Sequence, residues 1–449
     1  MLNTSLKRFV VVYLLVLIFS PDTDVFAQGA SGLHNPLFGA AALAQGNAFT
    51  ARADDASAIH FNPAGLTQLE GLQVSLGSAF MFPFAEYQGP SGSQDMDTKI
   101  IIQPNIYFAG PIVENKLAAG LGVTAPYGLQ GKWRNNGFSR FKIADFSLRV
   151  IDVNPSIAFK PFSFLSIGAG LDYYYTKVDT DKRINVAFTN FLLGAGFDPN
   201  TPEGFQDLEL HGDALGYNVG LLFNITPRHS IGISFRSKAD IHLEDKLKIS
   251  NLSGLTASLP PPFGFGSTDP KIRVRTSATL PEMLSFGYAY RHGDLWSIEA
   301  DVQWTNWSRF DVLKSSFFPT NAILELPVNK EDVRNWRNTL SFALGGEYKV
   351  NEALRVRGGY TYHETPVPST TFEPSVPQSS RHSIFAGFGY HWEKKWIDFA
   401  YGAVFYEDRD INNTVGEDVG GPLALGGVSL DGDYNLFTHI IAVNFNFRF

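Results

Sequence analysis

Apolar and polar residues alternate with a period of two through most of this sequence. Residues 217–225, 296–304 and 437–449 place apolar side chains mainly on one face and polar or small side chains on the other. Alternation of this length predicts β-strands with two different faces. A soluble β-sandwich shows the same alternation, so the pattern predicts strands without deciding whether water or lipid surrounds them.

Fourteen segments with this pattern predict strands, and the gaps between them alternate in length. The segments are 72–84, 99–109, 116–127, 146–159, 165–178, 214–226, 230–244, 271–290, 295–313, 338–350, 353–362, 382–391, 396–406 and 434–449. Gaps of about 14 to 35 residues alternate with gaps of about 2 to 6, which is typical of an outer-membrane barrel with long extracellular loops and tight periplasmic turns. The sequence therefore predicts an all-β fold, a 14-stranded antiparallel transmembrane β-barrel over 72–449 in the bacterial outer membrane.

The face opposite the apolar one carries ionised residues in several predicted strands. In a barrel of this size the apolar face meets lipid and the charged face lines the interior. Four arginines on that face are candidate contacts for a ligand carboxylate through charge-assisted hydrogen bonds: Arg236, Arg273, Arg275 and Arg357. Acidic residues on the same face offer an alternative, in which the arginines form ion pairs within the lumen.

Residues 1–27 have the pattern of a secretory signal peptide. Lys7 and Arg8 precede an uncharged stretch at 9–20, Pro21 ends that stretch, and Ala27 fits the last position before a cleavage site. The chain contains no cysteine, which excludes disulfides and thiolate metal sites and suits passage through an oxidising compartment. Its net charge of −8 argues against a nucleic-acid partner. No cofactor or metal site is predicted.

Residues 28–71 lack strand periodicity and are rich in small side chains. A fourteen-stranded barrel is wider than its own side chains can fill, so this segment is the candidate for a small helical hatch that plugs the lumen. Asp54 and Asp55 stand where a short helix would begin, and Asn62 and Pro63 stand where it would end. The alternative is that the segment is only an exported linker.

The end of the predicted hatch helix suggests an anchor. Asn62 can bond its own backbone surroundings or a neighbouring strand, and Pro63 fixes the turn that follows. We expect these two residues and Ala64 to hold the hatch against the inner wall, with small Ala64 and Gly65 permitting close approach. Together with the two aspartates before them, they are the candidate hatch and gating residues.

Several segments resemble one known family. Asp54, Asp55, Ala56 and Ser57, followed by the motif Asn-Pro-Ala-Gly-Leu at 62–66, resemble the N-terminal hatch of the FadL family of long-chain fatty acid and hydrocarbon transporters. The segments VTAPYGL at 123–129, VNPSIA at 153–158, GYNVG at 216–220, WTNWS at 304–308 and RVRGGY at 355–360 resemble further segments of that family. Because their order is preserved from the hatch to the last residue, the resemblance covers the whole mature chain.

The resemblance implies passive uptake of a hydrophobic small molecule. Family members capture it at extracellular loops, bind it inside the barrel, and release it sideways into outer-membrane lipid through a kinked third strand after the hatch moves. Pro126, with Gly128, is the candidate kink, because proline cannot donate a ladder hydrogen bond. Alternatively, Pro126 marks the end of a strand near the outer rim. The terminal Phe449 is similar to the signal that such barrels present to the barrel assembly machinery.

Two long loops carry more apolar residues than a solvated loop needs. The candidate capture residues are Phe188, Phe191 and Leu192 in the first loop, and Leu255, Leu259 and Phe263 in the second. A large exposed apolar patch usually marks a binding surface. The alternative is that these residues only pack the two loops against each other.

Two other functions were weighed against transport of hydrophobic molecules. A general porin for small polar solutes would share the polar lumen but would leave the hatch and the apolar loops unexplained. An outer-membrane lipid hydrolase is less favoured, because the sequence contains no Gly-x-Ser-x-Gly elbow, paired-histidine metal motif or phosphate-binding glycine loop. The sequence therefore predicts a transporter and not an enzyme.

Overall fold

A computed structural model of the protein describes residues 32–97, 100–255, 271–318 and 330–449, and shows a closed antiparallel β-barrel. Its fourteen wall strands are β1 Gln73–Gly89, β2 Ile101–Val113, β3 Leu117–Lys132, β4 Asp145–Phe162, β5 Leu165–Ile184, β6 Gly204–Thr226, β7 His229–Arg236, β8 Met283–His292, β9 Trp296–Thr305, β10 Thr339–Lys349, β11 Leu354–His363, β12 Arg381–Trp392, β13 Lys395–Tyr406 and β14 Gly432–Arg448. Each strand pairs with its neighbours in this order, and β1 pairs with β14 from Gln73–Arg448 to Gln88–Asp433, which closes the ring. The predicted fold class and strand number are confirmed. The predicted signal peptide, 1–27, lies outside the described residues.

The two faces of the wall differ as the alternation predicts. On β5, Ile167 and Leu171 point outwards and are 40% and 63% exposed, whereas Ser166 and Asp172 point inwards and are fully buried. A soluble protein would bury the apolar face, but a membrane barrel turns that face to lipid. No helix in the described part of the chain is long and apolar enough to cross a membrane.

Three predicted strands are each divided in two. The segment 230–244 divides into β7 and Ala239–Ser250, 271–290 into Lys271–Leu280 and β8, and 295–313 into β9 and Val312–Phe318. Pro281 lies at one division, where the missing N–H cannot serve a ladder. The outer pieces pair with one another and with β6 beyond the wall, and form an extracellular extension. Further short strands are Gly92–Asp95, Lys330–Val333 and Arg409–Ile411. The alternation continues across the divisions at Ser237 and Pro281, and therefore periodicity alone does not show the change of partner there.

The largest buried apolar cluster lies at the extracellular end of the barrel. It joins Trp133 and Phe138 from the loop after β3 to Ile272 and Val274 of the extracellular extension and to Trp307. The helix Val186–Leu192 packs beside this cluster, and one-turn 3₁₀ helices occur at Trp307–Arg309, Ser369–Thr371 and Leu423–Leu425. The core therefore closes the top of the barrel and leaves its middle to the N-terminal segment.

The described part of the predicted hatch, residues 32–71, lies inside the barrel. It contains α1 Ala40–Leu43, α2 Ala58–Phe61 and a 3₁₀ helix, Pro63–Gln68, and α3 Val186–Leu192 follows in the loop after β5. Helix α1 packs against β12, β13 and β14, whereas α2 and the 3₁₀ helix pack against strands from β2 to β6. A segment in contact with opposite sides of a closed ring must lie within it. Helix α2 begins after Ser57 and ends before Asn62, close to the predicted limits.

Candidate functional site

Asn62 joins the hatch to the wall. Its side chain is fully buried, and its Nδ2 donates to the carbonyl oxygens of Thr50, at 2.8 Å, and of Leu221 in β6, at 3.0 Å. Its Oδ1 accepts a hydrogen bond from the backbone N–H of Ala64 at 3.2 Å and so caps the 3₁₀ helix that begins at Pro63. One side chain therefore ties two hatch segments to one wall strand.

Glycines of the wall provide the space for this contact. A Cβ on Gly168 would lie 2.3 Å from the backbone nitrogen of Ala64, and a Cβ on Gly220 would lie 2.0 Å from Oδ1 of Asn62. We expected Gly65 to permit the approach, but a Cβ there would meet the carbonyl oxygen of Ala53 within the hatch, at 2.2 Å. A Cβ on five more inward glycines would also come within 3 Å of a hatch atom, although at Gly287 and Gly387 the nearest atom belongs to the wall: Gly232, Gly287, Gly345, Gly359 and Gly387. We call these seven residues the wall glycines.

Two carboxylates on β9 bind the backbone of the hatch. Asp301 Oδ2 accepts hydrogen bonds from the N–H groups of Phe49 and Thr50, both at 2.9 Å, and Glu299 Oε1 accepts one from Ala51 at 2.6 Å. Three successive backbone donors, which no helix or strand satisfies, are thus paired inside the lumen. The sequence analysis missed this role, although alternation places both carboxylates on the inner face.

A chain of ion pairs crosses from the hatch to the far wall. Arg52 lies 2.8 Å from Glu347 of β10 and 3.0 Å from Asp54. Arg357 of β11 lies 2.7 Å from the same Glu347 and 2.6 Å from Asp398 of β13. Arg357, predicted as a contact for a ligand carboxylate, is therefore occupied by carboxylates of the protein.

The second predicted hatch carboxylate, Asp55, stays within the hatch. Its Oδ1 accepts hydrogen bonds from the backbone N–H of Ser57, at 2.8 Å, and from the Ser57 hydroxyl. Burial raises the pKa of Asp55 to about 6, although the hydrogen bond from the Ser57 hydroxyl opposes this rise. Asp55 is consequently a hatch group that titrates near neutral pH.

The other three predicted arginines fall into two groups. Arg236 is buried in the lumen, where it pairs with Asp172 and with Asp152 at 3.2 Å. Arg273 and Arg275 lie outside the lumen, more than half exposed on the strand Lys271–Leu280, where both pair with Glu244. The prediction that these two arginines line the barrel interior is therefore wrong, because the predicted strand 271–290 is divided before β8. Arg236 and Arg357 instead form ion pairs within the lumen, as the alternative prediction states.

The wall has a gap beside β3. Among the described residues the ladder between β2 and β3 runs from Val113–Leu117 to Ile106–Val123 and goes no further. On the other side of β3, the pairing with β4 shifts register between Thr124 and Tyr127, so the shift contains Pro126. Strand β3 continues to Lys132, and Pro126 is therefore within the strand and not at its end.

The start of the described hatch covers the free edge of β3. The backbone N–H of Asn35 donates to the carbonyl oxygen of Pro126 at 2.8 Å, and the N–H of Gly128 donates to the carbonyl oxygen of Leu33 at 2.9 Å. His34 and Tyr127 form an isolated antiparallel bridge between these two bonds. From the other side of the gap, Nε2 of Gln103 in β2 donates to the Asn35 carbonyl oxygen at 3.3 Å. We call residues 33–35 the edge strand.

A cavity of about 810 Å³ lies above the hatch, between the extracellular extension and the loops. Its walls are mainly apolar and include Leu129 of β3, Phe146 of β4 and Trp307, while Leu33 of the edge strand contributes to the same lining. The cavity therefore reaches the place where the edge strand covers the gap. Its volume suits a small hydrophobic molecule.

The structure distributes the predicted capture residues around this cavity. Phe188 and Leu192, on and near the end of α3, line it, and Leu192 is 61% exposed. Phe191 is about half exposed and stacks on Phe188, with ring centroids 6.3 Å apart. Leu255 is buried in the main apolar cluster, which fits the packing alternative for that residue. Leu259 and Phe263 lie outside the described residues.

Ionised residues also line the cavity, and three of them form a cluster that no sequence pattern indicated: Lys142, Arg334 and Glu373. Glu373 lies 2.9 Å from Lys142 and is hydrogen-bonded to Arg334. They come from three different loops, which sequence periodicity cannot bring together. In the described ranges no group of three or more histidine, aspartate or glutamate side chains is placed to hold a metal ion.

The sequence is similar to those of known bacterial outer-membrane and transport proteins. The chain is 28% identical over 408 residues to a putative outer membrane protein of Neisseria meningitidis serogroup B, which covers 84% of this chain and 87% of that protein. It is 26% identical over 387 residues to a long-chain fatty acid transport protein of Escherichia coli O6:H1, covering 81% and 84% respectively.

Two solved structures share the fold. A FadL homologue of Pseudomonas aeruginosa superposes with a TM-score of 0.78 at 20% identity, over 93% of this chain and all of that one. The Pseudomonas putida toluene transporter TodX superposes with a TM-score of 0.68 at 16% identity, over 94% of this chain and all of that one. Residues 29–449 match the family described as "Outer membrane protein transport protein (OMPP1/FadL/TodX)", and the chain belongs to this family.

Proposed function

We propose that this protein takes up hydrophobic molecules, long-chain fatty acids or similar hydrocarbons, passively across the bacterial outer membrane. Relatives named for the transport of long-chain fatty acids and of toluene support this substrate range. An apolar solute gains little from a water-filled pore and much from contact with apolar walls. The apolar cavity above a plugged lumen supplies such walls.

The proposed route starts at Phe188 and Leu192, continues through the cavity and leaves sideways between β2 and β3. The observation that carries it is the gap beside β3, which is covered by the edge strand and not by a wall strand. Pro126 helps to keep this edge open, since it has no N–H for a ladder, whereas Gly128, the other proposed kink residue, bonds to the edge strand and not to β2. Movement of the edge strand would connect the cavity to lipid.

Passage straight down the lumen is disfavoured by the same structure. The hatch fills the lumen, and the inner wall below the cavity carries ion pairs such as Arg236–Asp152 and Arg357–Asp398. An apolar molecule gains nothing from surfaces of this kind. A lateral exit instead delivers it from one apolar environment to another.

A reversible cross-link tests this route, because the natural chain has no cysteine. His34 and Tyr127 face each other in the antiparallel bridge, where Cα atoms are close enough for a disulfide. We expect His34→Cys with Tyr127→Cys to abolish uptake of a fatty acid or hydrocarbon when oxidised. Reduction should restore it. Each single cysteine variant, treated with the same oxidant, is the control.

Full uptake by the oxidised double variant would contradict the lateral route. A large and steady ion conductance of the wild-type protein in planar bilayers would favour a general porin instead.

The proposal extends to assembly. The C-terminal residue Phe449, whose N–H donates a hydrogen bond to the carbonyl oxygen of Leu72 at 2.9 Å, is the proposed signal to the barrel assembly machinery. Residues 28–71 are proposed as the hatch domain, with 72–449 as the barrel.

A further inference from the structure

The cavity wall contains a cluster of charges formed by Lys142, Arg334 and Glu373. The Glu373 side chain is 6% exposed, and its carboxylate is shared between Nζ of Lys142, at 2.9 Å, and the guanidinium of Arg334. The Ser375 hydroxyl donates a further hydrogen bond to Glu373. A buried carboxylate with this many donors is fully satisfied.

The cluster is also electrically balanced. Arg334 has a second carboxylate partner, Asp332, at 2.7 Å, so two cations face two anions. Burial alone would raise the pKa of Glu373, but Arg334 and Lys142 hold it well below its usual range. Glu373 is therefore ionised at neutral pH.

Other cations at the cavity are in a different environment. Lys182, Arg183 and Lys330 line it too and, like Lys142, are half-buried. Arg183 stacks over the ring of Phe205, with its guanidinium carbon 3.7 Å from the ring centroid. Lys142 and Arg334 differ in that both converge on one carboxylate, that of Glu373. They are therefore the pair of cations that a ligand carboxylate would need in this part of the cavity.

We propose that Glu373 determines the specificity of the cavity by standing in for a ligand carboxylate on Lys142 and Arg334, so that the cavity selects uncharged hydrophobic ligands over carboxylates. The inference rests on the proposed uptake function and narrows its substrate class. A fatty acid anion entering the cavity meets the Glu373 carboxylate at the point where two cations converge, and like charges at close range repel. An uncharged ligand of equal length meets only the apolar lining.

A matched pair of ligands tests the inference. Dodecanoate and 1-dodecanol have the same chain length and differ in their head group, and at about pH 9 the acid is ionised. Binding to the full-length protein in detergent is followed through tryptophan fluorescence, because Trp307 lines the cavity. We expect wild-type protein to bind 1-dodecanol more tightly than dodecanoate, after correction for partition of each ligand into micelles.

Glu373→Gln should reverse this preference. The change frees Lys142 and leaves Arg334 with Asp332 as its carboxylate partner, so a charge-assisted contact should strengthen dodecanoate binding by roughly tenfold or more. Binding of 1-dodecanol should stay unchanged. Glu331→Gln is the matched control, since Glu331 pairs with Lys314 at 3.2 Å but both side chains are more than half exposed.

A second variant separates the role of the freed cations from a general loss of charge. Lys142→Met combined with Glu373→Gln leaves Arg334 paired with Asp332 alone, so the gain in dodecanoate binding should disappear. This variant also restores the charge balance, and therefore guards against failure of the single variant to fold.

Two results would overturn the inference. The first is wild-type protein that binds dodecanoate more tightly than 1-dodecanol. The second is a folded Glu373→Gln protein whose affinity for dodecanoate is unchanged. If wild-type protein binds neither ligand, the proposed uptake function fails, and the inference fails with it. Binding of 1-dodecanol alone, with no gain in the variant, would contradict only the role of Glu373.

Discussion

The side-chain amide of Asn62 donates a hydrogen bond to the backbone carbonyl oxygen of Leu221 across 3.0 Å. The same amide bonds to the carbonyl oxygen of Thr50, so one buried group connects the middle of the hatch, its 3₁₀ helix and β6. A buried polar group that loses its partner costs about 1–3 kcal/mol, which makes this connection a sensitive place to test the hatch.

Asn62→Ala should loosen the hatch while the barrel stays closed. The change leaves the carbonyl oxygens of Thr50 and Leu221 without a donor and should reduce the docking free energy of the hatch by about 1–3 kcal/mol. We expect higher ion conductance and an altered rate of uptake, with unchanged resistance of the barrel to heat unfolding. Asn200→Ala, in an exposed loop, is the control. Unchanged conductance together with unchanged uptake would show that the segment is only a linker.

Adjacent glycines on β11 should respond differently to the same substitution. A Cβ on Gly359 would lie 2.2 Å from backbone atoms of Gln45 and Gly46, whereas the nearest atom to a Cβ on Gly358 is 3.9 Å away. Gly359→Ala should therefore displace the hatch and raise ion leakage, and Gly358→Ala should not. Conductance of the two variants, both extracted from membranes as heat-resistant barrels, gives the comparison. Equal leakage would argue against a tightly fitted hatch.

Asp55 should make the stability of the hatch depend on pH. Its pKa in the folded protein, about 6, is higher than the value of about 3.9 in an unfolded chain. The folded state then binds the proton more tightly, and this stabilisation is full below about pH 4 and lost as the pH rises through about 6. Asp55→Asn should remove this part of the pH dependence. Heat unfolding of both proteins at several values between about pH 4 and 8 measures it, and parallel curves would contradict the assignment.

Arg357→Met should destabilise the barrel without weakening the binding of a fatty acid. The change leaves Glu347 and Asp398 with fewer partners in a buried site, where loss of one member of an ion pair costs about 3–5 kcal/mol. Arg355→Met is a milder control, because Arg355 is about one third exposed and shares only Glu347. Thermal unfolding and ligand titration separate the two effects. A loss of affinity for the fatty acid at unchanged thermal stability would show instead that Arg357 contacts the ligand.

Much of the wall was predictable from local alternation. The faces of strands such as β5 and β6 follow directly from a period of two, and the number of strands follows from the gaps between them. The extracellular extension was not predictable in this way. The segments around Pro281 and Ser237 keep their alternation while the strand changes its hydrogen-bond partner, and a pattern along one chain does not contain the identity of that partner.

The candidate site depended even more on distant contacts. Pro126 and Asn62 were found because proline and asparagine have local backbone preferences. The edge strand was missed, since residues 33–35 bond to β3 about ninety positions away and carry no strand pattern of their own. The wall glycines carried a signal that was overlooked: glycine recurs at inward positions of several strands, where the absence of a side chain implies that something else approaches the backbone.

The wall glycines have a consequence for the cell. Where the hatch touches them, the wall presents bare backbone, so complete departure of the hatch would leave a wide aqueous hole through the permeability barrier that excludes detergents and antibiotics. Asp301 and Asn62 hold the middle of the hatch, whereas the edge strand is joined to β3 through two backbone hydrogen bonds and one from the Asn35 side chain. If the edge strand alone opens, as proposed, a hydrophobic nutrient can enter while the membrane remains sealed to everything dissolved in water.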